Sequence, residues 1–129
     1  MSALSIARIY CEVVPDDDPD VSWLEQTPAQ LGSIEAAVSN RRRLRALERG
    51  DWSLVGARLA ADIVLEHHGR VPTTTTLTTP GVWGIESDSG EDYFRETAIE
   101  DADMLADDLR AYGLTMPTIE GSTLEVVYR

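Results

Sequence analysis

The sequence predicts a single α+β domain, a βαββαβ, ferredoxin-like antiparallel sheet with its helices on one face. Segments with apolar residues at every second position alternate with segments whose apolar residues recur at helical spacing. Clusters of proline and glycine punctuate the joints. The chain has 129 residues, 43% hydrophobic and 26% charged, which suits one core of ordinary size and not a disordered polymer.

Taken in order, Ala7, Ile9, Cys11 and Val13 alternate with Arg8, Tyr10 and Glu12, so a strand with one buried face is expected over residues 4–14. Two prolines and four aspartates at positions 15–20 end it in a solvated loop. Thr27, Pro28 and Gln30 mark a helix start, with threonine at the N-cap, proline at the first helical position and glutamine placed for a capping box. Leu31, Ile34 and Val38 share one helical face, but Leu44 and Leu47 fall on another register. A break at Ser39 and Asn40 is therefore expected before Gly50 ends the segment.

Val55, Ala57, Leu59, Ala61, Ile63 and Leu65 alternate with Arg58, Asp62 and Val64, which predicts a long strand over 52–65. Residues 66–70 suit a hairpin turn, and the threonine-rich run 71–79 has the β-branched content of a returning strand. Three glycines and two serines within 81–90 predict a structured loop. A helix then follows to about residue 112, capped by Ser89, with Phe94, Ala98, Ala102, Leu105, Leu109 and Tyr112 on one stripe and Gly113 just past its end. Pro117 and Gly121 frame the last connection, and 123–128 reads as a terminal strand.

Charge narrows the possible functions. Twenty-three acidic residues face eleven basic ones, a formal net charge of -12. Such a field repels phosphate, so direct binding to nucleic acid or to an anionic membrane is not expected. Every basic residue is arginine, a bias that fits a GC-rich genome, and a halophile would show a similar acidic, lysine-free composition. The lone Cys11 permits no internal disulfide. No leader pattern opens the chain and no run approaches a membrane span of about 18 apolar residues, so a cytoplasmic location is expected.

On a continuous helix at about 100° per residue, Asp92, Glu96, Glu100, Asp103 and Asp107 fall within an arc of about 80°, opposite the apolar stripe. Eight acids against Arg95 over residues 91–108 give roughly one negative charge per 3 Å of helix, close to the ~3.4 Å per charge of a DNA strand. Like charges at i,i+4 repel, and Asp107 and Asp108 sit where the helix dipole prefers cations. One reading is a hydrated face that keeps the protein soluble. The other is a negative surface that docks into a groove built for nucleic acid, with Asp16, Asp17 and Asp18 extending it.

Arg41, Arg42, Arg43, Arg45 and Arg49 form the one basic cluster. It is expected to pair with the acidic excess, within the chain or across a homodimer. Adjacent His67 and His68 point to different sides and make a poor metal pair, so they read as turn residues. The acids between Glu86 and Asp92 lack the order of a calcium loop. Cys11 has no histidine spaced to activate it and reads as a buried structural thiol. No hydrolase elbow, Walker loop, zinc-protease or dinucleotide motif occurs, so no enzyme activity, catalytic residue, metal or cofactor is expected.

The run Gly81, Val82, Trp83, Gly84, Ile85, Glu86, Ser87, Asp88, Ser89, Gly90, Glu91, Asp92 and Tyr93 resembles the core of a family of small proteins encoded by bacteriophages and other mobile elements of GC-rich bacteria. Gly50, Asp51 and Trp52 with Val55, Gly56, Ala57 and Arg58 resemble the family's second element, so the likeness covers residues 50–95. The family has no chemistry to carry over, and Trp83, Glu86 and Asp88 receive no role from it. The resemblance implies a phage accessory protein working inside the host cell, such as an anti-CRISPR or anti-restriction inhibitor. The partner then expected is the basic nucleic-acid-binding surface of a host defence complex, with an RNA-guided surveillance complex foremost. The alternative is an accessory protein whose acidity serves only solubility.

Overall fold

A computed structural model describes residues 2–129 as one α+β domain around a five-stranded mixed sheet. Its elements are β1 (Ser2–Pro15), α1 (Pro28–Leu31), α2 (Ile34–Glu48), β2 (Leu54–His67), β3 (Thr73–Thr78), β4 (Val82–Glu86), α3 (Glu91–Ile99), α4 (Ala102–Ala111) and β5 (Glu125–Tyr128). Short 3-10 turns cover Ser22–Glu25 and Gly121–Thr123.

The two 14-residue strands β1 and β2 pair antiparallel from Ser2 opposite His67 to Pro15 opposite Val55. This pairing corrects the ferredoxin-like expectation, and so does the parallel pairing of β1 with β5. The strand order is β3-β2-β1-β5, with β4 also on β2. Length explains the arrangement: one edge of β2 has room for β3 opposite residues 60–65 and for β4 opposite residues 54–57. Buried Thr79 joins the two. Its N–H donates to the Leu59 carbonyl at 2.9 Å, and its Oγ1 accepts from the Leu59 N–H at 3.0 Å.

β4 occupies the segment expected to be a loop. Glycines at 81 and 84 made it look irregular, and both do adopt left-handed φ values, of 78° and 75°. What makes it a strand is non-local: Val55 faces Ile85, and the Trp83 ring lies on Gly56, where an added Cβ would come within 2.4 Å of the ring.

The main core lies between one sheet face and the pair α3 and α4. Cys11, Val13, Val55, Ala57, Leu59, Ala61 and Ile63 meet Phe94, Ala98, Leu105 and Leu109 there. A register shift between Ile6 and Arg8 resets the alternation of β1. Ile6 therefore joins the core, and Ala7, expected inside, is exposed.

Leu54 is out of phase with Val55 and turns to the other side of β2. There it packs with Leu24 and Trp52, backed by Leu44, Ala46 and Leu47. α2 thus packs at the start of β2, apart from α3 and α4, so the helices do not all lie on one face.

Two helix breaks also differ from expectation. α1 forms its full capping box, with the Thr27 side chain accepting from the Gln30 N–H and Gln30 accepting from the Thr27 N–H. It then stops at Gly32, whose φ of 72° suits glycine, and α2 runs unbroken through Ser39 and Asn40. The second long helix divides at Glu100 and Asp101. Asp101 accepts the Gly81 N–H at 3.2 Å, while its own N–H reaches back three residues to Ala98. No helix among the described residues is long and apolar enough to cross a membrane.

Candidate functional site

Three charged surfaces emerge, and they differ in how far the molecule neutralises them. The first is the sheet face turned away from α3 and α4. Alternation along β1 and β2 places Arg8, Tyr10, Glu12, Arg58 and Asp62 there. Arg8 donates to Asp62 at 2.7 Å, and Asp62 also accepts from Tyr10 at 3.1 Å and from Thr76 at 2.7 Å. Arg58 and Arg129 hold the two oxygens of Glu12, at 2.7 and 3.0 Å. The Arg8 guanidinium lies 4.2 Å over the buried Tyr10 ring. Burial pushes the Asp62 carboxyl up, but the donors Arg8, Thr76 and Tyr10 outweigh it and hold the group below the ordinary carboxylate range. Three arginines and the carboxylates of Glu12, Asp62 and Glu125 close on themselves.

The second surface is the acidic ridge. Asp92, Glu96, Glu100, Asp103, Asp107 and Asp108 are all exposed. The break in the helix means that they do not share one continuous arc: Asp92 and Glu96 belong to α3, Glu100 to the junction, and Asp103, Asp107 and Asp108 to α4. The outer members have arginine partners, Asp92 with Arg95 at 3.2 Å and Asp107 with Arg110 at 2.9 Å. Glu96, Glu100, Asp103 and Asp108 have no ion pair among the described residues.

The aspartate loop is anchored on a different element. Asp16 is fixed beside β4, where its carboxylate accepts the N–H groups of Asp18 and Gly84 at 3.2 and 3.0 Å. Asp92 and Glu96 instead line a depression with Gly121 and Ser122, next to β5 at the far edge of the sheet. Asp17 and Asp18 are exposed.

The third surface is the outer side of α2. Arg43 turns inward, donating to Glu86 and Asp88 at 2.6 Å each and lying 3.8 Å over the Trp52 ring. The Trp52 indole N–H returns a bond to the Arg43 carbonyl at 2.9 Å. Arg43 holds the Asp88 carboxyl below its ordinary range. Arg49 pairs with Asp51. Arg41, Arg42 and Arg45 are exposed and have no ion pair among the described residues, so internal pairing accounts for two of the five clustered arginines.

Residues 50–58 and 81–93 touch each other. Trp83 sits on Gly56, Ser87 accepts from the Ser53 N–H at 2.9 Å, and Arg43 ties Glu86 and Asp88 to Trp52. Trp83, Glu86 and Asp88 thereby acquire structural work that the sequence did not assign.

Cys11 is fully buried, with Sγ 3.5 Å from the Phe94 carbonyl oxygen, and burial pushes its pKa up to about 11. It stays a thiol at neutral pH. His67 ends β2 with its ring against Thr73, and His68 follows in the turn. No group of three or more metal-ligating side chains converges among the described residues. No family model matches the chain, and neither a curated protein nor a solved structure matches it.

Proposed function

We propose that this chain is an interaction protein whose α3–α4 acidic surface docks into a basic, nucleic-acid-binding groove of another protein and competes there with the nucleic acid. One observation carries the reading: Glu96 on α3, Glu100 at the junction and Asp103 on α4 stand exposed with no arginine of the chain paired to them. Elsewhere the molecule pairs five of its eleven arginines with its own acids, and two more, Arg95 and Arg110, pair at the ends of the ridge. Carboxylates left over in such a row suit the arginines and lysines of a groove that tracks a phosphate backbone.

The partner follows from the resemblance to phage proteins and from nothing else: an RNA-guided surveillance complex, or a restriction enzyme, of the host bacterium. The test is competition between the chain and target DNA for the purified complex. Reversing Glu96, Glu100 and Asp103 to arginine is expected to weaken inhibition by about a hundredfold or more, and added salt to weaken the wild-type chain steeply. Full inhibition by the reversed variant would sink the reading.

The paired state of Asp92 and Asp107 favours a second reading, because it takes two of the six ridge carboxylates out of the free set. On that reading the acidity keeps a non-inhibitory accessory protein soluble, and its interactions are insensitive to salt.

A further inference from the structure

The outer face of α2 has the composition of a contact surface. Ile34, Val38, Arg41 and Arg45 fall within an arc of about 60°, with Arg42 on its flank. Ile34 is 72% exposed and Val38 43%, which is unusual for two large aliphatic residues on one helix face. Beside them, Arg41 and Arg45 border a shallow cleft floored by buried Leu24 and by Leu44, with Glu25 and Glu48 also on its rim. Arginine next to apolar side chains is what protein interfaces enrich.

These arginines lie in the field of a molecule with a net charge of -12, yet among the described residues they form no ion pair, even with Glu25 and Glu48 of the same cleft. α2 packs with Leu54 on one side of the sheet, and the unpaired Glu96, Glu100 and Asp103 lie on helices covering the other. Within one chain the two surfaces cannot meet, but between two copies they can.

We infer that the chain self-associates head to tail, with Arg41, Arg42 and Arg45 of one copy on Glu96, Glu100 and Asp103 of the next. Ile34 and Val38 then face the ridge where α4 exposes Met104, giving the contact an apolar complement. Because the surfaces are different and on opposite sides, the contact is heterologous and grows as a chain or closes as a ring, without stopping at a two-fold dimer. The inference shares the ridge with the proposed function and not its partner. Self-association would cover the ridge until a more basic groove displaces the neighbouring copy.

Sedimentation equilibrium of the full chain at low and high salt tests it. The apparent mass at low salt is expected to rise continuously with concentration and to fall when salt is added. The triple reversals Arg41→Glu/Arg42→Glu/Arg45→Glu and Glu96→Arg/Glu100→Arg/Asp103→Arg should each weaken association about tenfold to a hundredfold. All six positions are exposed, and circular dichroism would verify the fold of each variant. Mixing the two variants restores complementary faces and should restore assembly.

A wild-type chain that stays monomeric at low salt overturns the inference. So does association that ignores salt and arginine reversal but vanishes with Ile34→Asp/Val38→Asp. The α2 reversal leaves the ridge intact, so its competition with DNA for a basic groove reads out the proposed function separately.

Discussion

On the sheet face turned away from the main core, Arg8, Arg58 and Arg129 each hold a carboxylate, whereas on α3 and α4 the carboxylates of Glu96, Glu100 and Asp103 hold no arginine. The residue types are the same; the spacing is not. Cross-strand neighbours on one face stand about 5 Å apart, so Arg58 opposite Glu12 and Arg8 opposite Asp62 meet by register alone. Residues 96, 100 and 103 follow one another at three- and four-residue intervals across the α3–α4 junction, and the charged residues at those intervals from them are all acidic. The sheet thus uses charge to hold the fold together, and the ridge leaves it available to something outside.

The comparison breaks most readily at Glu12. Only 5% of its surface is exposed, and it satisfies both Arg58 and Arg129. Glu12→Ala is expected to cost about 2–4 kcal/mol, because two guanidinium groups lose their shared anion at a site that water reaches poorly. Urea unfolding checks this. A loss below about 0.5 kcal/mol would mean that the network is ordinary surface charge.

How much of this was legible follows the same division. Alternation in residues 9–13 and 55–65 exposes both the apolar face of β1 and β2 and the polar face behind it, so the sheet-face residues could be placed from sequence. The shift at Ala7 could not, because Ile6 and Ala7 are both apolar and either satisfies the pattern. β4 escaped because Gly81 and Gly84 break local periodicity, and the Trp83 contact that fixes it is with Gly56, far along the chain.

The division of the last long helix was hidden because Phe94, Ala98, Leu105 and Leu109 stay in phase across it. At the division Asp101 accepts a bond from Gly81, a contact that local sequence does not reveal. Gly32 was a visible stop signal that the register change near Ser39 overshadowed. The identities of the ridge acids were readable, whereas which arginines would reach them was not.

A smaller effect is expected from pH. The folded-state pKa of Asp62, and that of Asp88 beside Arg43, lie below the ordinary carboxylate value. Both groups therefore add stability that is fully present above their unfolded pKa of about 3.9 and is lost as pH falls through their lower folded values. The midpoint of urea unfolding should drop steadily below about pH 4, and Asp62→Asn should flatten that limb while costing about 1 kcal/mol at neutral pH. An acid limb of unchanged steepness in the variant would show that the Arg8, Tyr10 and Thr76 bonds to Asp62 do not persist in solution.

The smallest effect on stability is expected where the effect on partners is proposed to be largest. Glu96→Gln/Glu100→Gln/Asp103→Asn removes like-charge contacts at i,i+4 and i,i+3, and at Glu100 it removes an anion from the C-terminal end of α3, where the helix dipole is unfavourable. Asp103 pulls the other way, because it lies in the first turn of α4, where the dipole favours an anion. The terms nearly cancel, leaving a net gain of a few tenths of a kcal/mol that salt should erase. Urea midpoints at low and high ionic strength measure it. A loss of more than about 1 kcal/mol would show that the ridge, like the sheet face, is held by contacts within the chain, because three exposed carboxylates without partners cannot support that much of a fold.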